Sequence, residues 1–139
     1  MIGGRGCCLC VKNGGKSQMA AGLMKLRAGD TVEVHSAGTQ PGTTINELSA
    51  ASLGEVGVDI TGEHPKPITE DAVRSADLIV TLGREAHVEP VPDTRVENWD
   101  TDEPSERGIE GMERMRLVRD DIDSRIQDLL TRLASNGPR

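Results

Sequence analysis

Neither phenylalanine nor tyrosine occurs in this sequence, and Trp99 is its single aromatic residue. A core built without aromatic rings has to be filled by Leu, Ile, Val, Ala and Met. The 139 residues suffice for a single domain spanning 1–139, which would bury roughly two thirds of its unfolded surface. Positive charge is also short. A formal charge of -7 excludes nucleic acid and anionic membranes as general partners, since both select basic patches, so any anion site has to be local. No apolar run approaches the ~18–20 residues of a membrane span, and the opening "MIGGRG" lacks the apolar core of a secretory signal. The expected location is cytoplasmic. Cysteine is scarce and poorly placed for cross-linking: Cys7, Cys8 and Cys10 crowd into one stretch, and free thiols are expected. Zinc would need a further ligand from His35, His64 or His87. The paired-cysteine spacing is missing and neighbouring strand residues point apart, so no metal and no bound cofactor are expected.

What is present is an alternation of short apolar runs and helical patterns. "CCLC", "TVEVHS", "DLIVTL" and "TRVENW" read as four strands. Between and after them, "SQMAAGLMKLRAG", "TTINELSAASLGEVG" and "TEDAVRSA" read as helices. A long final helix carries Met115, Val118, Ile122, Ile126, Leu129 and Leu133 at spacings of three and four, a stripe expected to pack on the sheet. Only the tail "SNGPR" reads as frayed. Strands alternating with helices predict an α/β sandwich of three layers, with a four-stranded parallel sheet in the order 2-1-3-4 and helices on both faces. In such a sheet the ligand crevice lies beyond the carboxyl ends of the strands, where the winding reverses. The loop after strand 1 falls there.

That loop reads "CVKNGGKS" over residues 10–17. It leaves a strand at Cys10 and enters a helix whose first N–H groups have no intrahelical partners and suit a tetrahedral oxyanion. Gly14 and Gly15 are expected to take positive φ and turn successive amides inward around the Cys10 sulfur. Lys16 adds positive charge, Asn13 can brace the loop, and Ser17 can cap the helix or hydrogen-bond the thiolate. The same spacing also fits an ordinary strand-to-helix turn with Cys10 as a small buried hydrophobe.

The stretch "CVKNGGKSQMAAGLM" resembles the phosphate-binding loop and following helix of the low-molecular-weight protein tyrosine phosphatase family, particularly its arsenate reductases. "VHSAGT" at 34–39, "GVDITGEHPKP" at 57–67, "ADLIVTL" at 76–82 and "NWDTDEPSERG" followed by "RLVRDDI" continue the resemblance over almost the whole chain. It implies a flavodoxin-like fold and Cys10 as nucleophile. Val11, Lys12, Asn13, Gly14, Gly15, Lys16 and Ser17 would hold the substrate, Ser36 would support the loop, and an acidic loop after strand 4 would supply a general acid. Pro104 matches the family proline, which leaves Glu103 or Asp102 as that acid. Asp102 is favoured by a small margin for its shorter side chain.

Departures from the family pattern refine the expectation. Relatives usually carry Arg where Lys16 stands, and lysine gives up the planar fork. No aromatic side chain is available to stack on phosphotyrosine. Thioredoxin-coupled relatives use two further cysteines, one ending the strand that matches "LIVTL" and one in the next helix, and neither is present. Ala21 replaces the acidic residue of a monovalent-cation site. The resemblance therefore implies an arsenate-mycothiol transferase, a monomer or weak dimer, with mycothiol as co-substrate and a mycoredoxin-like protein releasing arsenite. The alternatives are a phosphatase and a non-catalytic oxyanion-binding regulator.

Overall fold

The computed structural model describes residues 5–10, 12–83, 86, 88 and 94–136. Val11, His87 and the side chain of Leu133, singled out above, lie outside the described residues. Four strands, β1 (Arg5–Cys10), β2 (Glu33–Gly38), β3 (Leu78–Leu82) and β4 (Arg95–Trp99), form one sheet in the order β2-β1-β3-β4. Every pairing is parallel, as expected. The helices are α1 (Lys16–Ala28), α2 (Glu47–Gly54), α3 (Glu70–Ser75) and α4 (Gly111–Asn136).

Alternation along β1 decides which layer each side chain joins. Cys8 and Cys10 face the thicker layer, where α1 (Met19, Leu23), α2 (Leu53) and α4 (Val118, Ile122, Ile126, Leu129) close over Val80 and Leu82 of β3. Cys7 and Leu9 face the thinner layer, with Ala37, Ile79 and Val73 of α3. Cys7 and Cys8 are core residues, 3% and 2% exposed. The apolar stripe of α4 packs as its spacing predicts, with Ile122, Ile126 and Leu129 at 0% exposure.

Boundaries differ from the sequence reading where local hydrogen bonding decides them. A short 3₁₀ turn over Gly29–Thr31 follows α1 and delays β2 to Glu33. Helix α2 fills only the centre of the 43–57 pattern, because the Asn46 side chain caps it by accepting the Ser49 N–H at 2.9 Å. The tail expected to fray from 135 remains helical through Asn136. Ion pairs lace the thick layer: Arg27 of α1 meets Asp123 of α4 at 2.6 Å, and Glu55, just after α2, accepts from Arg116 and Arg119 of α4.

Candidate active site

Cys10 ends β1, a central strand flanked by β2 and β3, and opens the crevice at the point where strand order reverses. Its side chain is nearly enclosed, and two donors converge on the sulfur. The Asn13 N–H donates to Sγ at 3.2 Å, and the Ser17 hydroxyl lies 2.9 Å from it. The Asn13 side-chain amide donates to that hydroxyl oxygen at 2.7 Å, which leaves the Ser17 proton to point at the sulfur. A pair of donors aimed at one sulfur is what a thiolate nucleophile requires.

The backbone bends differently from the sequence expectation. Neither Gly14 nor Gly15 has positive φ; among the described residues of this loop the left-handed one is Asn13, at φ 54°. Asparagine tolerates that conformation because its short polar side chain bonds locally. Here Asn13 is fully buried. Its Oδ1 accepts from the Lys66 N–H at 2.9 Å and from Gln18 Nε2 at 3.1 Å. Gly14 is needed for closeness: a Cβ there would lie 2.9 Å from the Thr44 carbonyl oxygen. Its own carbonyl accepts from the Asn46 N–H at 2.6 Å. Gly15 caps α1 without any side-chain hydrogen bond, so the helix start faces the loop with backbone donors alone.

Supports of the loop come from three other segments. Thr39 N–H donates to the Cys10 carbonyl and Gly42 N–H to that of the exposed Lys12. Gln18, buried in the first turn of α1, reaches the His64 carbonyl at 3.2 Å as well as Asn13. Ser36 connects through an intermediary: its hydroxyl lies 3.4 Å from Lys66 Nζ, and it is the Lys66 backbone that holds Asn13. The contributions of Gln18, Lys66 and Thr44 were not anticipated from sequence. A glutamine inside the apolar pattern "SQMAAGL" was the available signal, because a buried amide needs partners.

The acidic loop arrives from β4, whose last residue, Trp99, is buried in the core of the thicker layer at 4% exposure, and Pro104 is buried at the start of a 3₁₀ turn, Pro104–Arg107. Its two candidate acids face different partners. Glu103 forms an ion pair with Lys16 Nζ and lies 3.8 Å from Arg114 of α4. Asp102 is bonded by Arg107 at 2.8 and 3.1 Å, and its N–H donates to Asp121 of α4 at 2.9 Å. The Arg107 bonds hold the Asp102 carboxyl below the usual carboxylate range. Burial and the charge of Arg114 push the Lys16 ammonium below its ordinary value, with Cys10, Asp100 and Asp121 acting the other way. Beside the loop is a cavity of about 530 Å³ lined by Lys12, Gly14, Gly15, Lys16, Asn46, Ser49 and Arg114 over an apolar floor of Met19, Met115 and Val118. No cluster of three or more metal-ligating side chains occurs among the described residues. No helix there is long and apolar enough to cross a membrane.

A thiol at the end of a central parallel strand, held by a loop that runs into a helix N-terminus, defines a class of proteins that handle tetrahedral oxyanions. The sequence profile described as low molecular weight phosphotyrosine protein phosphatase matches residues 7–139, and the chain belongs to that family. Among its relatives, the arsenate reductase of Bacillus subtilis is 34% identical over 128 residues, 86% of this chain and 90% of the relative. The arsenate reductase of Bacillus licheniformis is 35% identical over 127 residues, covering 86% and 89%. The solved thioredoxin-dependent arsenate reductase of Corynebacterium glutamicum superposes with a TM-score of 0.82 at 31% identity. That superposition covers 96% of this chain but 63% of the longer relative.

Proposed function

We propose that this chain is an arsenate reductase in which Cys10 takes up arsenate and passes the arsenic to mycothiol. The Cys10 thiolate attacks arsenic, an S–As bond forms, and one As–O bond breaks with the oxygen leaving as water. Lys16 and the loop amides hold the remaining oxygens, and Glu103, a carboxylate while paired with Lys16, would take up a proton once the anion enters and pass it to the leaving oxygen. The mycothiol sulfur then replaces Cys10 on arsenic, which returns the thiol without electron transfer. A redoxin thiolate attacking the mycothiol sulfur sends the S–As electron pair to arsenic, giving arsenite and a mixed disulfide.

The observation that carries this reading is the confinement of all three cysteines to β1. Cys8 shares the Cys10 face of the strand, but burial pushes its thiol far up, and the neighbouring Cys7 and Cys10 add to the effect. Burial raises Cys7 as well, and Cys7 points into the opposite layer. Both are packed in the core, where burial disfavours the thiolate, so the thiol that resolves the arsenic adduct is taken to come from outside these residues. Mycothiol is the choice suggested by the lysine-bearing loop.

Arsenate consumption measured with mycothiol and a mycoredoxin, beside a thioredoxin system and p-nitrophenyl phosphate hydrolysis, tests the proposal. Turnover is expected with the first system, and Cys10→Ser should abolish it while leaving the thermal midpoint nearly unchanged. Equal turnover with thioredoxin alone would remove mycothiol from the reading. Phosphate release without arsenate turnover would make the chain a phosphatase, and binding without either reaction a regulator.

A further inference from the structure

The oxyanion loop and the acidic loop meet at two cations, and one of them is not part of the loop motif. Lys16 belongs to the loop. Arg114 comes from the first turn of α4, lies 3.8 Å from the Glu103 carboxylate that Lys16 also grips, and lines the cavity shared with Gly14, Gly15 and Lys16. Its Nε is sealed from solvent and has no hydrogen-bond partner among the described residues.

That placement is unfavourable for a residue with only a structural task. A cation in the first turn of a helix opposes the macrodipole. A guanidinium N–H buried without an acceptor loses the hydrogen bond that water would give it. Crowding beside Lys16 adds repulsion; Asp100 and Asp121 offset part of it at Lys16, and Glu103 is the carboxylate that meets both cations. A multiply charged oxyanion in the space beside the two cations would relieve their mutual repulsion and offer acceptors to the Arg114 Nη groups.

We propose that Arg114 is the second cation of the oxyanion site, with Glu103 acting as the counter-ion of Lys16 and Arg114 until the substrate displaces it. The proposal rests on the reading of the Cys10 loop as an arsenate site. Lysine at position 16 supplies a point charge without the planar fork that grips two oxygens at once; Arg114 restores that fork from a different element. With the carboxylate moved aside, two positive charges face the anion, and the displaced carboxylate is left beside the substrate oxygens, whose negative charge favours its protonation.

Protection of Cys10 from iodoacetamide by inorganic phosphate and by arsenate, read at Cys10 by mass spectrometry, tests it in the wild type, Arg114→Gln and Arg114→Lys. Both anions should protect the wild type. Arg114→Gln should need about tenfold more anion for half-protection, with Arg114→Lys between the two. In turnover, the arsenate KM of Arg114→Gln should rise by a similar factor, more than kcat falls. Equal half-protection in the wild type and Arg114→Gln overturns the role of Arg114 and leaves the arsenate reading standing. Should Arg114→Gln not fold, Arg114→Lys decides, and wild-type affinity there overturns the proposal. Absence of protection in the wild type overturns both readings.

Discussion

Asn13 combines a left-handed backbone, complete burial and a side-chain amide shared among Ser17, Gln18 and Lys66. Replacing it with alanine keeps the unfavourable φ and removes the group that made it tolerable. Two buried donors, the Lys66 N–H and Gln18 Nε2, would lose an acceptor. Asn13→Ala should therefore cost about 3 kcal/mol, lowering the thermal midpoint by roughly 10 °C. It should also slow Cys10 alkylation, because the Ser17 proton is no longer directed at the sulfur. Calorimetry and alkylation kinetics on the same preparation check both effects, and loss of reactivity without loss of stability would disprove the bracing role.

Among the elements, the Cys10 loop lies in close contact with the segment before α2. A methyl group at Gly14 would press on the Thr44 carbonyl oxygen, which is backbone and cannot rotate away. Gly14→Ala should shift the loop and reduce kcat/KM for arsenate by about a hundredfold, misplacement on the scale of 1 Å being enough for that. Between α2 and α4 the expected effect is electrostatic. Hydrogen bonds from Arg116 and Arg119 hold the Glu55 carboxyl at about 2, against an ordinary value of 4.5. A lowered folded value means that the contribution is complete above about pH 4.5 and is lost as pH falls through about 2. The midpoint of the wild type should therefore drop more steeply over that window than that of Glu55→Gln. The difference should shrink in high salt, because Glu55 is 37% exposed.

The strands and their order were legible in the sequence because apolar runs, alternation and right-handed crossovers leave few arrangements. The Cys10 loop was legible because Cys10, the glycines and Lys16 are adjacent in the chain. Arg114 was not. It stands one residue before Met115 and four before Val118, on the flank of the apolar stripe, and only the docking angle of α4 determines whether that flank meets the loop or solvent. The exchange of roles between Asn13 and the glycines was hidden for a similar reason: whether a glycine serves φ or close approach depends on what lies across from it, here a carbonyl at Thr44.

At the scale of the whole molecule, one thiol, Cys10, is held by the loop and two others are packed in the core. Cys7→Ala and Cys8→Ala should each retain most arsenate turnover with mycothiol and lose about 1 kcal/mol of stability. Arrest of turnover in either single variant would reinstate an internal resolving thiol. The supports of Cys10 have a further consequence. They come from Thr39 and Gly42, from Lys66, and from Glu103 through Lys16, all later in the chain than the nucleophile itself. During synthesis on a ribosome, Cys10 and the donors aimed at its sulfur, Asn13 and Ser17, emerge long before the segments that brace their loop. A nascent chain carries three unsupported thiols, and the bracing of the Cys10 loop is completed only when segments far along the chain have docked.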